Sequence, residues 1–135
     1  HCVGNSFAEW MNIADVDFVI ANPEGYDLDP EYVGDAKVYH NQAEALEGAD
    51  YVYFKNWSSY DDYGAMPAVE GDWLLGEDFV EANPETKFMH CLPVRRNVEM
   101  SDAVLDSPNS LIYQQAYNRT VSVQTIIKKM LENSL

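Results

Sequence analysis

The sequence predicts an α/β domain, doubly wound around a mostly parallel sheet with helices on both faces. Three observations predict it: short apolar runs bounded by turn residues recur, capped helix-like segments separate them, and the chain closes on a long amphipathic helix. The 135 residues fit a single domain, 1–135, and 47% hydrophobic content is enough for one core.

In chain order, Asn5 or Ser6 is placed to cap a short helix carrying Phe7, Trp10 and Met11 at i, i+3, i+4 spacing. Residues 16–21 form a buried strand, closed by the turn at Asn22-Pro23-Glu24-Gly25. Asp29 caps a short helix with Pro30 at its first position, where proline's missing N–H costs nothing. Residues 36–40 make a second strand, and Asn41 caps a helix over 42–47 that Gly48 ends. Residues 50–55 make a third strand. The stretch 56–76 is irregular and aromatic, and its Trp57, Tyr60, Tyr63 and Trp73 point to packing over something rather than to disorder. Beyond it are expected a helix over 77–82, a strand over 86–92, a short helix over 102–105 and a strand over 110–113. A final helix over about 120–133 places Val123, Ile126, Ile127, Met130 and Leu131 on one face.

Charge excludes some functions. With 23 acidic against 8 basic residues the chain lacks the broad positive surface that nucleic acid or an anionic membrane requires. Its two cysteines, Cys2 and Cys91, lie far apart without metal-ligand spacing, so neither a disulfide framework nor a metal is expected. Pairing His1-Cys2 with His90-Cys91 around zinc fails because adjacent strand residues point to opposite faces. No run approaches the roughly 20 apolar residues of a membrane span, and a cytoplasmic setting is expected by default. A start at His1 rather than Met suggests a processed or excised piece.

Ligands of doubly wound sheets bind at the carboxyl ends of the strands. Of the eight basic residues, Lys55, Arg95, Arg96 and Arg119 all fall at such ends, and an anionic small-molecule site is the inference. The run His90-Cys91-Leu92-Pro93-Val94-Arg95-Arg96-Asn97, with Asn118-Arg119 before the last helix, resembles the second domain of a transcarbamylase. The wider run through Asp102, Asp106 and Ser107-Pro108-Asn109, together with residues 5–11 and 53–57, is most similar to the N-acetyl- and N-succinylornithine carbamoyltransferases.

That resemblance implies carbamoyl transfer from carbamoyl phosphate to the δ-amine of an N-acylornithine, without a cofactor and in a homotrimer. It implies that Arg119 polarises the carbamoyl oxygen, while Cys91 and the Leu92 carbonyl hold the carbamoyl NH2 and the incoming amine. Pro93 would bias Leu92 towards an extended backbone. Taken without the motif, Cys91 reads as a small buried strand residue. Asn5 and Lys55 are the expected clamps for the acceptor's α-carboxylate, with His90 in the same binding set. Arg95 is expected to reach the ligand or a domain interface, with a structural ion pair the reading for Arg96. A charge on Glu99 near the acyl group would disfavour a succinyl carboxylate, which tilts the expectation towards N-acetylornithine.

Two departures qualify the resemblance. The phosphate-cradling motif of the family's other domain and the first, central strand of this one are expected to lie outside the chain, which would separate neighbouring strands. In addition, Gln115-Ala116-Tyr117 stands where an acidic residue is commoner. The expectation is an acceptor-binding half that is inactive alone. The rival readings are a non-catalytic amino-acid-binding module and a carbamoyltransferase acting on plain ornithine.

Overall fold

Side-chain caps and short apolar runs account for most of the elements in the computed structural model, which describes residues 2–58 and 73–133. Helix α1 spans Cys2–Ile13, beginning before the expected caps, so Ser6 lies within the helix and its hydroxyl donates to the Cys2 carbonyl. Strand β1 is Val19–Ala21, α2 is Pro30–Val33, β2 is Lys37–Tyr39 and α3 is Gln42–Leu46. Strand β3 is Tyr51–Phe54, α4 is Glu77–Ala82, β4 is Lys87–His90, α5 is Asp102–Leu105 and α6 is Ile112–Glu132. Asp29 and Asn41 cap α2 and α3 as expected, accepting from the Glu31 and Glu44 amides.

The strand expected over 110–113 is overturned. A single bridge pairs Ser110 with Phe88, and by Ile112 the chain is helical. Ile112, Ala116 and Val123 continue the helical apolar stripe upstream, and burial of Ile112 in the core decides for helix over β-propensity.

Within the described residues the strands form two parallel ladders, β1 with β2 and β3 with β4. Phe7 of α1 spans the division between them, stacking on Tyr53 of β3 at 4.2 Å and meeting Phe18, just before β1, edge-on at 6.0 Å. Asn12 ties α1 to the end of α2 by donating to the Tyr32 and Val33 carbonyls. Gly34 is required there: a Cβ would meet the Asn12 amide nitrogen at 2.6 Å, and its φ is +59°.

The core lies under β3 and β4, where Leu46, Phe54, Leu75, Phe88, Met100, Val104, Leu105 and Ile112 pack together. Of the expected aromatic cover, Trp57 and Trp73 meet edge to face at 5.4 Å, and Trp73 is buried. Tyr60 and Tyr63 lie outside the described residues. None of the described helices is long and apolar enough to cross a membrane.

Candidate functional site

Register builds the centre of the site. Phe54 pairs with His90 as the last rung of the β3–β4 ladder, so Lys55 and Cys91 leave the sheet side by side at its carboxyl end. The Cys91 amide donates to the Phe54 carbonyl, and Asn56 donates to the Pro93 carbonyl, joining the two loops.

His90 turns the chain at this point. Its side chain is 1% exposed, and its Nδ1 accepts from the Leu92 amide at 2.8 Å, so in the neutral ring the proton sits on Nε2. Capture of that amide bends Leu92 into the left-handed region at φ 55°, which corrects the expectation that Pro93 holds it extended. The Leu92–Pro93 bond is cis. With its N–H fixed and its side chain partly exposed, Leu92 holds its carbonyl in a set direction at the end of the sheet.

Burial is the largest influence on His90 and pushes its pKa below the ordinary 6.5, aided by Arg95 and Lys55 and opposed by Glu99. The unfolded chain therefore binds a proton at higher pH than the folded one. Stability is expected to fall as pH drops from 6.5 towards the lowered native value, and to be insensitive to His90 above 6.5. Urea unfolding at a series of pH values checks this. The slope between pH 7 and 5 should flatten in His90→Asn, whose amide oxygen can still accept from Leu92. Asp102 and Asp106, held below their ordinary 3.8 mainly by hydrogen bonds from Arg96, act at lower pH and do not obscure the window.

Cys91 is raised above its ordinary value, first by burial and against the pull of Lys55, so it is a thiol rather than a thiolate at neutral pH. A thiol can donate or accept a hydrogen bond to a bound amine, whereas the geometry does not equip it as a nucleophile.

The two adjacent arginines divide the work. Arg95 donates from Nη2 to Oε1 of Glu99 at 2.5 Å, and Glu99 is wholly buried. Glu99 is therefore paired behind Arg95, and the argument that its bare charge repels a succinyl group loses its basis. Arg96 is half exposed and bonds Asp102 at 2.6 Å and Asp106 at 2.8 and 2.9 Å, a structural ion pair. Asn97, at φ 60°, completes that loop by accepting from the Asp102 amide.

Asn5 approaches from α1. A Cβ on the preceding Gly4 would lie 3.7 Å from Cδ of Lys55, so the α1 backbone comes close to the lysine stem at Gly4. Lys55 itself donates to the Asn56 carbonyl at 3.0 Å. Arg119 stands exposed on α6, near enough to pull the Tyr53 pKa down against the larger upward push of burial.

Tyr53 and Gln115, which the sequence shows only within the resembling run 53–57 and as a departure from the family pattern, also belong to this part of the fold. Gln115 Oε1 accepts from the His90 amide at 3.1 Å, and its side chain lies near enough to Tyr53 to pull that phenol's pKa down. Position is a further signal: Tyr53 is two residues before Lys55, and Gln115 is one helical turn before Arg119. Shallow grooves along α6, lined by residues such as Ile127 and Leu131 or Val121 and Ile126, hold no comparable polar cluster.

These features define an α/β domain that gathers a thiol, a directed carbonyl and several cations at the carboxyl end of parallel strands. Residues 2–130 match the family described as "Aspartate/ornithine carbamoyltransferase, Asp/Orn binding domain", and the chain belongs to that family. It is 47% identical over 133 residues to the N-succinylornithine carbamoyltransferase of Bacteroides fragilis (strain 638R), covering 97% of this chain and 42% of that protein. It is 34% identical over 134 residues to the ornithine carbamoyltransferase of Ralstonia nicotianae (strain ATCC BAA-1114 / GMI1000), covering 90% and 44%. A crystal structure of acetylornithine transcarbamylase complexed with acetylcitrulline superposes with a TM-score of 0.73 at 30% identity, covering 86% of this chain and 40% of that one. The chain thus spans less than half the length of these relatives.

Proposed function

We propose that this chain is the acceptor-binding half of an N-acylornithine carbamoyltransferase in arginine biosynthesis. The enzyme transfers the carbamoyl group of carbamoyl phosphate to the δ-amine of N-succinylornithine or N-acetylornithine. The observation that carries the reading is the grouping of Lys55, His90, Cys91 and Leu92 at one sheet end, with Arg119 near enough to lower the Tyr53 pKa, in a chain matching the family over residues 2–130.

In the reaction the neutral δ-amine attacks the carbamoyl carbon, a C–N bond forms, the C–O bond to phosphate breaks, and the amine's proton departs with the phosphate. The Leu92 carbonyl accepts from the incoming amine and orients its lone pair. The Cys91 thiol lies beside it, and Arg119 stabilises negative charge growing on the carbamoyl oxygen. Asn5 and Lys55 hold the α-carboxylate, and Arg95 with Glu99 backs the wall through His90. The leaving phosphate is held by a separate carbamoyl phosphate domain of the longer protein, which assembles as a cytoplasmic homotrimer.

N-succinylornithine is the favoured acceptor. Supporting this choice are the 47% identity to an enzyme named for it and the neutralisation of Glu99 by Arg95. Transfer to plain ornithine is the second reading, favoured by the 34% identity to an ornithine enzyme. Incubating the 135-residue chain with carbamoyl phosphate and each acceptor should yield no citrulline-type product, whereas the full-length protein turns over. Turnover by the chain alone would overturn its assignment as half an active site.

A further inference from the structure

The described part of α6 meets the domain only at its beginning. The Leu111 amide donates to the Phe88 carbonyl at 2.8 Å and Ile112 sits in the core. From Tyr117 to Asn133 every described residue is exposed. Between these regions Gln115, half-buried, reaches back to the sheet. Its Oε1 accepts from the amide of His90, the last residue of β4. Its side chain also lies near enough to Tyr53 to pull that phenol's pKa down against the larger push of burial. Tyr53 is in turn fixed from its other side by the parallel stack with Phe7, 4.2 Å away and tilted by 15°.

Gln115 therefore clips the first turn of α6 to the end of β4. Arg119 lies one helical turn further along on the same side, where i and i+4 side chains are neighbours. It is the first cation beyond the last contact with the sheet. A rotation of the helix about its anchored start would displace Arg119 relative to Tyr53 and the sheet end. Misplacement of a group by an ångström can cost a large factor in rate.

We propose that Gln115 is a positioning residue: its bond to the His90 amide sets the place of Arg119 over the reacting carbamoyl group. This deepens the reading above and rests on it for the kinetic consequence, though not for the structural one. One neutral hydrogen bond is worth about a fivefold factor.

The experiment uses the full-length enzyme carrying Gln115→Met, which keeps side-chain length and removes the bond, alongside Gln115→Glu, whose carboxylate can still accept from the His90 amide. Gln115→Met should lower kcat by about fivefold and leave the acceptor KM within about twofold, as placement of a group acting in the transition state requires. Gln115→Glu should recover most of the lost kcat, because it keeps the acceptor. Amide exchange followed by mass spectrometry should show faster exchange in the peptide covering 112–119 of Gln115→Met, with the core peptide covering 86–90 unchanged apart from His90. Unaltered kcat in an active enzyme, or unaltered exchange over 112–119, overturns the tether. Absence of carbamoyl transfer in the parent enzyme overturns the functional reading instead, and the exchange result still decides whether Gln115 holds the helix.

Discussion

Arg119→Ala in the full-length enzyme is expected to lower kcat by about a thousandfold while acceptor affinity changes only a few-fold. The expectation follows from what a fixed cation does at a carbonyl under attack: it acts on charge that exists in the transition state and hardly at all in the bound substrate. Removing a single such group typically costs about 10² to 10³ in kcat. The structure adds a second readout. Arg119 pulls the Tyr53 pKa down against burial, so its removal should move the phenol further up. Steady-state kinetics with both substrates varied, together with ultraviolet titration of the tyrosines, measure the two effects. A rise in acceptor KM with kcat preserved would make Arg119 a binding residue and refute its role at the carbamoyl oxygen.

Arg95→Met is expected to destabilise the protein by about 3 kcal/mol, because it leaves the carboxylate of Glu99 fully buried without its cation. Arg95 is itself 29% exposed, which keeps the figure at the lower end of the range for buried pairs. The paired substitution Arg95→Met with Glu99→Leu should recover most of the loss, since an apolar pair of similar volume removes the stranded charge. Urea denaturation of the three variants tests this. A single-variant loss below about 1 kcal/mol would show that Glu99 finds another partner. Arg96→Met provides the contrast, because its partners Asp102 and Asp106 are exposed and remain hydrated when it is lost.

Much of the fold was legible because the signals were local. Asp29 with Pro30, and Asn41 two residues after β2, announce their helices through side-chain geometry that the structure reproduces. The meeting of Lys55 and Cys91 was legible too, since the two must emerge together once β3 and β4 pair in register. What escaped reading depended on contacts between distant segments or on a side chain closing its own turn. Ile112 and Tyr113 look like strand residues, yet the core takes Ile112 from a helix. Leu92 was expected to be extended, and the imidazole two residues earlier bends it the other way, a bond that no backbone propensity encodes. Glu99 looked like a free charge near a ligand; its partner Arg95 was four residues away in plain view, but burial of the pair is a tertiary fact. Gln115 read only as part of a departure from the family pattern, and its bond to the His90 amide, 25 positions away, is again a tertiary fact.

The chemical account depends on each group keeping one protonation state. Tyr53 is raised by burial and stays a phenol, Cys91 is raised and stays a thiol, and His90 is lowered and stays neutral. The candidate site thus presents neutral hydrogen-bonding groups, with cations placed around them. That combination suits an amine that must remain unprotonated to attack.

The measurement that bears most directly on the central claim is carbamoyl transfer by the full-length enzyme to N-succinylornithine, N-acetylornithine and ornithine at equal concentration. The account predicts transfer to the acylated acceptors, with kcat/KM highest for N-succinylornithine and at least about tenfold lower for ornithine, a difference of about 1.4 kcal/mol. Failure to carbamoylate any of the three would contradict it.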